Sequence, residues 1–161
     1  MKQGTKAIKN GLSLENLVED CVVENLSVPS ERYSRTDIRE DILLKGVPYT
    51  NIYGNSRCKS EFVLHFKGRK IRIECKAQHS KGSVDEKLPY LYMNFINNIE
   101  EDEAIIVIEG NGFKEGAKEW LRAVCKGTKV RVMAFSEFRS ECLKGLPKAT
   151  KPSFFKRFFA Y

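Results

Sequence analysis

Apolar residues first recur at helical spacing. Leu14, Leu17, Val18, Cys21, Val22 and Leu26 share one helical face, Ser13 stands as N-cap, and Pro29 follows the end. A polar stretch comes next. It holds one short apolar piece, Ile42 to Leu44, and the turn residues Gly46, Pro48 and Gly54. From Glu61 the period becomes two. "EFVLHF" reads as a strand, "KGRK" as a turn on Gly68, and "IRIECKA" as the returning strand of a hairpin. A helix is expected from about Glu86 to Ile99, with Pro89 in its first turn. "EAIIVIEG" is a buried strand, "FKEGAKEWLRAVCKG" an amphipathic helix closed by Gly127, and "KVRVMAF" a further strand. "SEFRSECLKG" reads as a short helix capped by Ser136. The order is thus helix, two or three strands, helix, strand, helix, strand, helix. That order predicts an α/β or α+β protein, with a mixed central β-sheet between helices.

The 161 residues suit a single domain over 1–161, and the last fifteen form a basic, aromatic tail at 147–161. No apolar run is long enough for a bilayer span, and no apolar signal core follows the basic start, so a cytoplasmic setting is expected. The net charge of +7 favours a polyanionic partner such as nucleic acid. The five cysteines are widely spaced with no CxxC pair, and the two histidines are isolated, so disulfides and a structural zinc are not expected. Cys21, Cys125 and Trp120 read as core.

Candidate chemistry gathers on the hairpin. Side chains alternate along a strand, so Glu74, Lys76 and Gln78 share one face, and Ile71, Ile73, Cys75 and Ala77 the other. Glu61 lies at a similar distance from the turn on the partner strand. Two facing carboxylates repel unless a cation neutralises them, and oxygen donors suit Mg²⁺. A lysine one strand step away can neutralise charge or orient a water. Acid, acid-x-lysine and a basic surface together fit phosphodiester hydrolysis. The plain alternative is a solvated sheet face, where Glu-x-Lys pairs are common.

Glu61, a hairpin turn, then Glu74-Cys75-Lys76 and the order of elements over roughly residues 10 to 135 resemble the PD-(D/E)XK nuclease superfamily. The segment "QHSKGSVDEKLPY" is similar to stretches in its phage and bacterial members. The resemblance implies a restriction-endonuclease-like core of order αβββαβ, here with an additional αβα. It implies a metal held by Glu61, Glu74 and the backbone carbonyl of Cys75, with Mg²⁺ the expected ion and Mn²⁺ a substitute. Lys76 would be catalytic, with Gln78 and Glu15 assisting; Glu19 is the weaker choice on the same helix. The chain departs from the pattern in having Ser60-Glu61 where proline-aspartate is usual, which leaves Asp37 or Asp41 as alternative first acids.

Arg57, Lys59, Lys81 and Lys87 are candidate phosphate contacts, with Arg69, Lys70 and Arg72 nearby. The expected function is a metal-dependent DNA endonuclease acting on branched DNA or at a specific site. Holliday junction resolvases, phage recombination nucleases and homing endonucleases are the nearest types, all suited to homodimers. RNA is a further possible substrate. The rival reading is a non-catalytic nucleic-acid-binding or assembly protein that keeps the fold.

Overall fold

The computed structural model describes residues 13–35 and 40–146. Helix α1 (Leu14–Leu26) starts at Ser13, whose hydroxyl accepts the Asn16 N–H at 3.1 Å. Strands β1 (Ser30–Arg32), β2 (Ile42–Thr50), β3 (Arg57–Phe66) and β4 (Arg69–Ala77) follow. Then come α2 (Val84–Asn98), β5 (Glu103–Glu109), α3 (Glu115–Cys125), β6 (Val130–Ala134) and α4 (Phe135–Leu143). The sheet has its strands in chain order. Strands β2, β3 and β4 form an antiparallel meander, whereas β4, β5 and β6 are parallel through helical crossovers. The mixed sheet expected from the sequence is therefore present, with the hairpin on one side and the crossover units on the other.

Each face of the sheet is buried by a different helix pair. Val18 and Val22 of α1 and Phe138 of α4 pack with Phe62, Leu64, Ile73 and Ile105. Leu88 and Phe95 of α2 and Leu121 of α3 pack with Ile106 and Ile108. Strand β5 meets apolar neighbours on both faces, which is why its sequence runs apolar without alternation.

Four local expectations change. The polar stretch contains a nine-residue strand, β2, that runs through both Gly46 and Pro48. Strand β1 pairs only with residues 43–45 of β2, so Pro48 sits where β2 is an edge and needs no N–H on that side. Helix α2 starts at Val84, which places Pro89 in its second turn. Ala134 takes the N-cap position of α4, so Ser136 lies inside the helix. Trp120 is 39% exposed and meets Tyr92 edge-on. The tail at 147–161 lies outside the described residues.

Gly46 redirects the β2–β3 ribbon. It adopts φ 68°, a left-handed conformation that costs a glycine little. Leu44 and Val47 then share one apolar cluster although they are three residues apart, so the strand has changed face between them. Beyond this point the ribbon leans over the α2 side of the sheet. The Val47 carbonyl accepts from Arg72 at 3.0 Å, and the Asn51 carbonyl accepts from Asn98 of α2 at 2.7 Å.

Arg72 holds the ribbon down. Its guanidinium is buried, donates twice to Glu101 at 2.7 and 2.9 Å and once to the Ser60 hydroxyl at 3.2 Å, and lies over the Tyr49 ring. It is therefore a packing residue and not the phosphate contact its charge suggested. Arg69 is likewise committed, to Glu103 at 2.7 Å. Burial alone would raise the Glu101 carboxyl, but the hydrogen bonds and charge of Arg72 outweigh it and hold the group below its ordinary 4.5. Glu101 thus stabilises the fold above pH 4.5, and that contribution is lost as pH falls through the depressed value. Glu101→Gln is expected to cost about 3 kcal/mol in chemical denaturation at neutral pH, because it leaves a buried cation uncompensated. The gap to the parent protein should narrow as the pH is lowered below 4.5.

Candidate active site

The β3–β4 ladder ends at Phe62↔Ile73. The next pair in register is Glu61 opposite Glu74, and it is not formed. On the other side the β2–β3 ladder also skips Glu61, which falls between the pairs Lys45↔Phe62 and Val47↔Ser60. Strand β4 meanwhile stays paired with β5 as far as Ala77↔Glu109. Strands β3 and β4 therefore split where the two glutamates stand. The Cys75 N–H, left without a strand partner, donates to Glu61 Oε2 at 3.0 Å. A side-chain carboxylate has replaced a backbone carbonyl in the ladder. In an extended strand a residue's N–H and C=O point to the same side, so the Cys75 carbonyl faces this split as well.

The charges are concentrated. Glu74 is 5% exposed, and Lys76 Nζ donates to its Oε1 at 2.5 Å. Burial, then the Glu74 charge, pushes the Glu61 carboxyl up to about 7. Burial would lower the Lys76 ammonium, but Glu74 and then Glu61 outweigh it and raise it, so the cation is retained at neutral pH. Burial, followed by Glu61 and Glu15, pushes the Cys75 thiol well up. This buried thiol is packing and no nucleophile.

The donor set fits a hard divalent cation. Glu74 Oε2 is buried and has no hydrogen-bond partner, an orphan acceptor beside a second, partly protonated carboxylate. A cation would satisfy the orphan oxygen and relieve the repulsion, and oxygen-only donors suit Mg²⁺. Among the described residues no cluster of three or more His, Cys, Asp or Glu could hold a metal ion. The Cys75 carbonyl, waters and a phosphate oxygen would complete the shell.

The other predicted residues divide. Glu15 is half-buried in the first turn of α1, where its charge acts on the Cys75 thiol, on the sheet face opposite Glu74 and Lys76. Glu19 instead accepts from the Ser30 hydroxyl at 2.6 Å and pairs with Lys45 at 3.0 Å, tying α1 to the sheet edge. Asp41 accepts the Lys67 N–H at 2.6 Å, beside the far hairpin turn, and Asp37 lies outside the described residues. Arg57, Lys59, Lys81 and Lys87 are all exposed, and Lys70 is exposed near the far turn.

Gln78 is not aimed at the carboxylates. Its side-chain amide donates to the Gly112 carbonyl at 2.8 Å and accepts the Val84 N–H at 3.1 Å, which caps α2. Its backbone N–H donates to Glu109, and its carbonyl accepts from Gly112 at 2.7 Å. One residue thus zips the loop after β4 to the loop after β5 and to the start of α2. The approach is close enough that a Cβ at Gly110 would lie 2.2 Å from the Gln78 carbonyl oxygen, and one at Gly112 would lie 2.3 Å from that of Ser80. The pattern Gly110-Asn111-Gly112 directly after an apolar strand was the available signal for this contact. Gly46, opposite Glu61, was the second residue passed over, because it was read as a turn.

A cavity of about 490 Å³ opens under the leaning ribbon, lined by Tyr33, Val47, Tyr49, His65, Lys70 and Glu101 among others. Glu61, Glu74 and Lys76 do not line it, so cavity and carboxylates are separate features.

No curated protein matches the chain. Among solved structures, protein VC1899 from Vibrio cholerae aligns at a TM-score of 0.46 and 17% identity, over 83% of this chain and 32% of that one. The chain thus spans about a third of the length of that protein. A family model described as a PD-(D/E)XK nuclease superfamily domain matches residues 6–145. Its span takes in the split ladder with Glu61, Glu74 and Lys76, and both crossover helices. The chain belongs to the PD-(D/E)XK nuclease superfamily.

Proposed function

We propose that the protein is a Mg²⁺-dependent DNA endonuclease, with Mn²⁺ able to substitute. The observation that carries this reading is the pair of carboxylates at the split of β3 and β4, with an orphan oxygen on one and a lysine on the same strand. Superfamily members are generally nucleases that use divalent metal ions. Glu61, Glu74 and the Cys75 carbonyl would hold the ion, which when bound lowers the pKa of a coordinated water and offsets charge on phosphate oxygens.

The chain's own residues do the remaining work. Glu74 anchors Lys76 so that its ammonium faces the site, where it orients the attacking water or neutralises a phosphate oxygen. Glu15, on the α1 side beside Cys75, would assist through its charge. Gln78 is a positioning residue. It fixes the end of β4 against α2, and small displacements of reacting groups cost large factors in rate. Arg57, Lys59, Lys81 and Lys87 would contact backbone phosphates, contributing salt-sensitive affinity without sequence choice. In-line attack by water would invert the configuration at phosphorus. Cuts on two strands would need two copies of the chain, so a homodimer is the working form. A bacterial or phage-infected cytoplasm is the setting we favour; no described helix is long and apolar enough to cross a membrane.

Incubation with branched and linear DNA in Mg²⁺ or Mn²⁺ should yield cleaved strands, with RNA of matched structure as a parallel arm. Glu74→Ala and Lys76→Ala should each lower the rate at least about a hundredfold. Cleavage unchanged in both variants, or none by the parent protein, would leave the non-catalytic binding reading.

Metal binding can be read without activity. Mn²⁺ should raise the melting temperature of the parent protein, since a ligand held only by the folded state stabilises it. Glu61→Gln should remove most of that shift. The same variant should melt no lower than the parent without metal, because it relieves the repulsion between Glu61 and Glu74.

A further inference from the structure

The tip of the β2–β3 ribbon is unusually determined for a loop. Asn51 is buried, and its side-chain amide donates to Asn55 at 3.1 Å and to Ser56, while its Oδ1 accepts the Tyr53 N–H at 3.1 Å. Helix α2 grips the same loop from outside. Asn94 accepts the Ile52 N–H at 2.8 Å, and Asn98 donates to the Thr50 and Asn51 carbonyls. These bonds fix the backbone on both sides of Tyr53. Yet Tyr53 itself is 69% exposed, and its ring stacks on Tyr90 of α2 at 6.0 Å and 23°. A rigid loop that displays a large aromatic face to solvent has no packing explanation.

Its position is informative. Residues 98, 94 and 90 of α2 meet residues 50, 52 and 53 of the ribbon in turn, so the tip points toward the start of α2. Lys87 lies one further turn along that face and is exposed. The helix then begins at Val84, capped by Gln78, two residues beyond Lys76. Glu74 acts electrostatically on Tyr49 of the same ribbon, so ribbon, α2 and carboxylates share one side of the sheet. Arg57 and Lys59, where the ribbon returns, add exposed positive charge.

We propose that Tyr53, backed by Tyr90, is a stacking platform for an unpaired nucleobase, with Lys87 taking a neighbouring phosphate. The proposal deepens the nuclease reading and rests on it for the identity of the polymer. It makes the substrate one with an unpaired stretch beside the scissile phosphate: a flap, a junction arm or a single strand. Bases inside a duplex hide their faces in the stack, so a fully paired duplex cannot use the platform. Every base has a π-face, so the platform sets structure selectivity and not sequence choice.

The test is binding by fluorescence anisotropy in EDTA, where no cleavage intervenes, with labelled single-stranded, flapped and fully paired DNA and single-stranded RNA of the same sequence. Tyr53→Ala should weaken single-stranded and flapped ligands by roughly five- to a hundredfold and the duplex by less than about twofold. Tyr53→Phe should keep parent affinity, and an unchanged melting temperature would show that both variants fold. The RNA arm reports whether the platform also accepts ribose. Equal losses on paired and unpaired ligands, or no loss on either, would overturn the platform. The nuclease reading fails separately: a parent protein that shows the Tyr53 dependence but cuts nothing keeps the platform and loses the enzyme.

Discussion

The structure turns on two like charges held together. Glu61 and Glu74 face each other at the first register position that strands β3 and β4 leave unpaired. Burial, with their mutual repulsion, pushes the Glu61 carboxyl up to about 7. A protein gains nothing in stability from such a pair, which costs both desolvation and repulsion. Lys76 offsets part of this through Glu74, and the Cys75 N–H offsets part through Glu61. One buried oxygen remains without a partner. Unfavourable charge placed on a rigid strand end is the arrangement the proposed cation site would use.

Keeping that split open requires structure on both sides. Along β4 the ladder to β5 continues past the carboxylates, so Glu74 and Lys76 are fixed by an intact parallel pairing. On the β3 side, Gly46 allows the ribbon to turn away, and Arg72 holds the turned ribbon through Val47, Ser60 and Glu101. Beyond the strand, Gln78 joins two loops and a helix N-terminus. The polar residues around the carboxylates therefore serve mostly to hold backbone.

This division also explains what could be read from the chain. The apolar periods of α1, β4, β5 and α3 follow directly from burial on one or both faces, and those elements were legible. The Glu74-x-Lys76 row and the partnership with Glu61 were legible because alternation and hairpin symmetry are local rules. Strand β2 was not, since Gly46 and Pro48 are turn residues by local rules. Only the short reach of β1 makes an edge on which Pro48 is harmless. Gln78 was read as part of the site and Arg72 as a nearby phosphate contact, yet both are committed to bonds that hold the fold. A charged or amide side chain on a strand looks the same in sequence whether its target is phosphate or a carbonyl 25 or more residues away.

The departure at Ser60-Glu61 fits the same geometry. Ser60 is buried, and its hydroxyl accepts from Arg72, the residue that fastens the ribbon. A proline in its place would offer no acceptor there. Glu61 has to span a gap where the strands have separated, and its carboxylate still reaches the Cys75 N–H. An aspartate, one methylene shorter, would meet that N–H only if β3 lay closer to β4 at this point. The longer acid and the missing proline are thus two parts of one local solution, in which the ribbon is held by Arg72 and the split is bridged by a side chain.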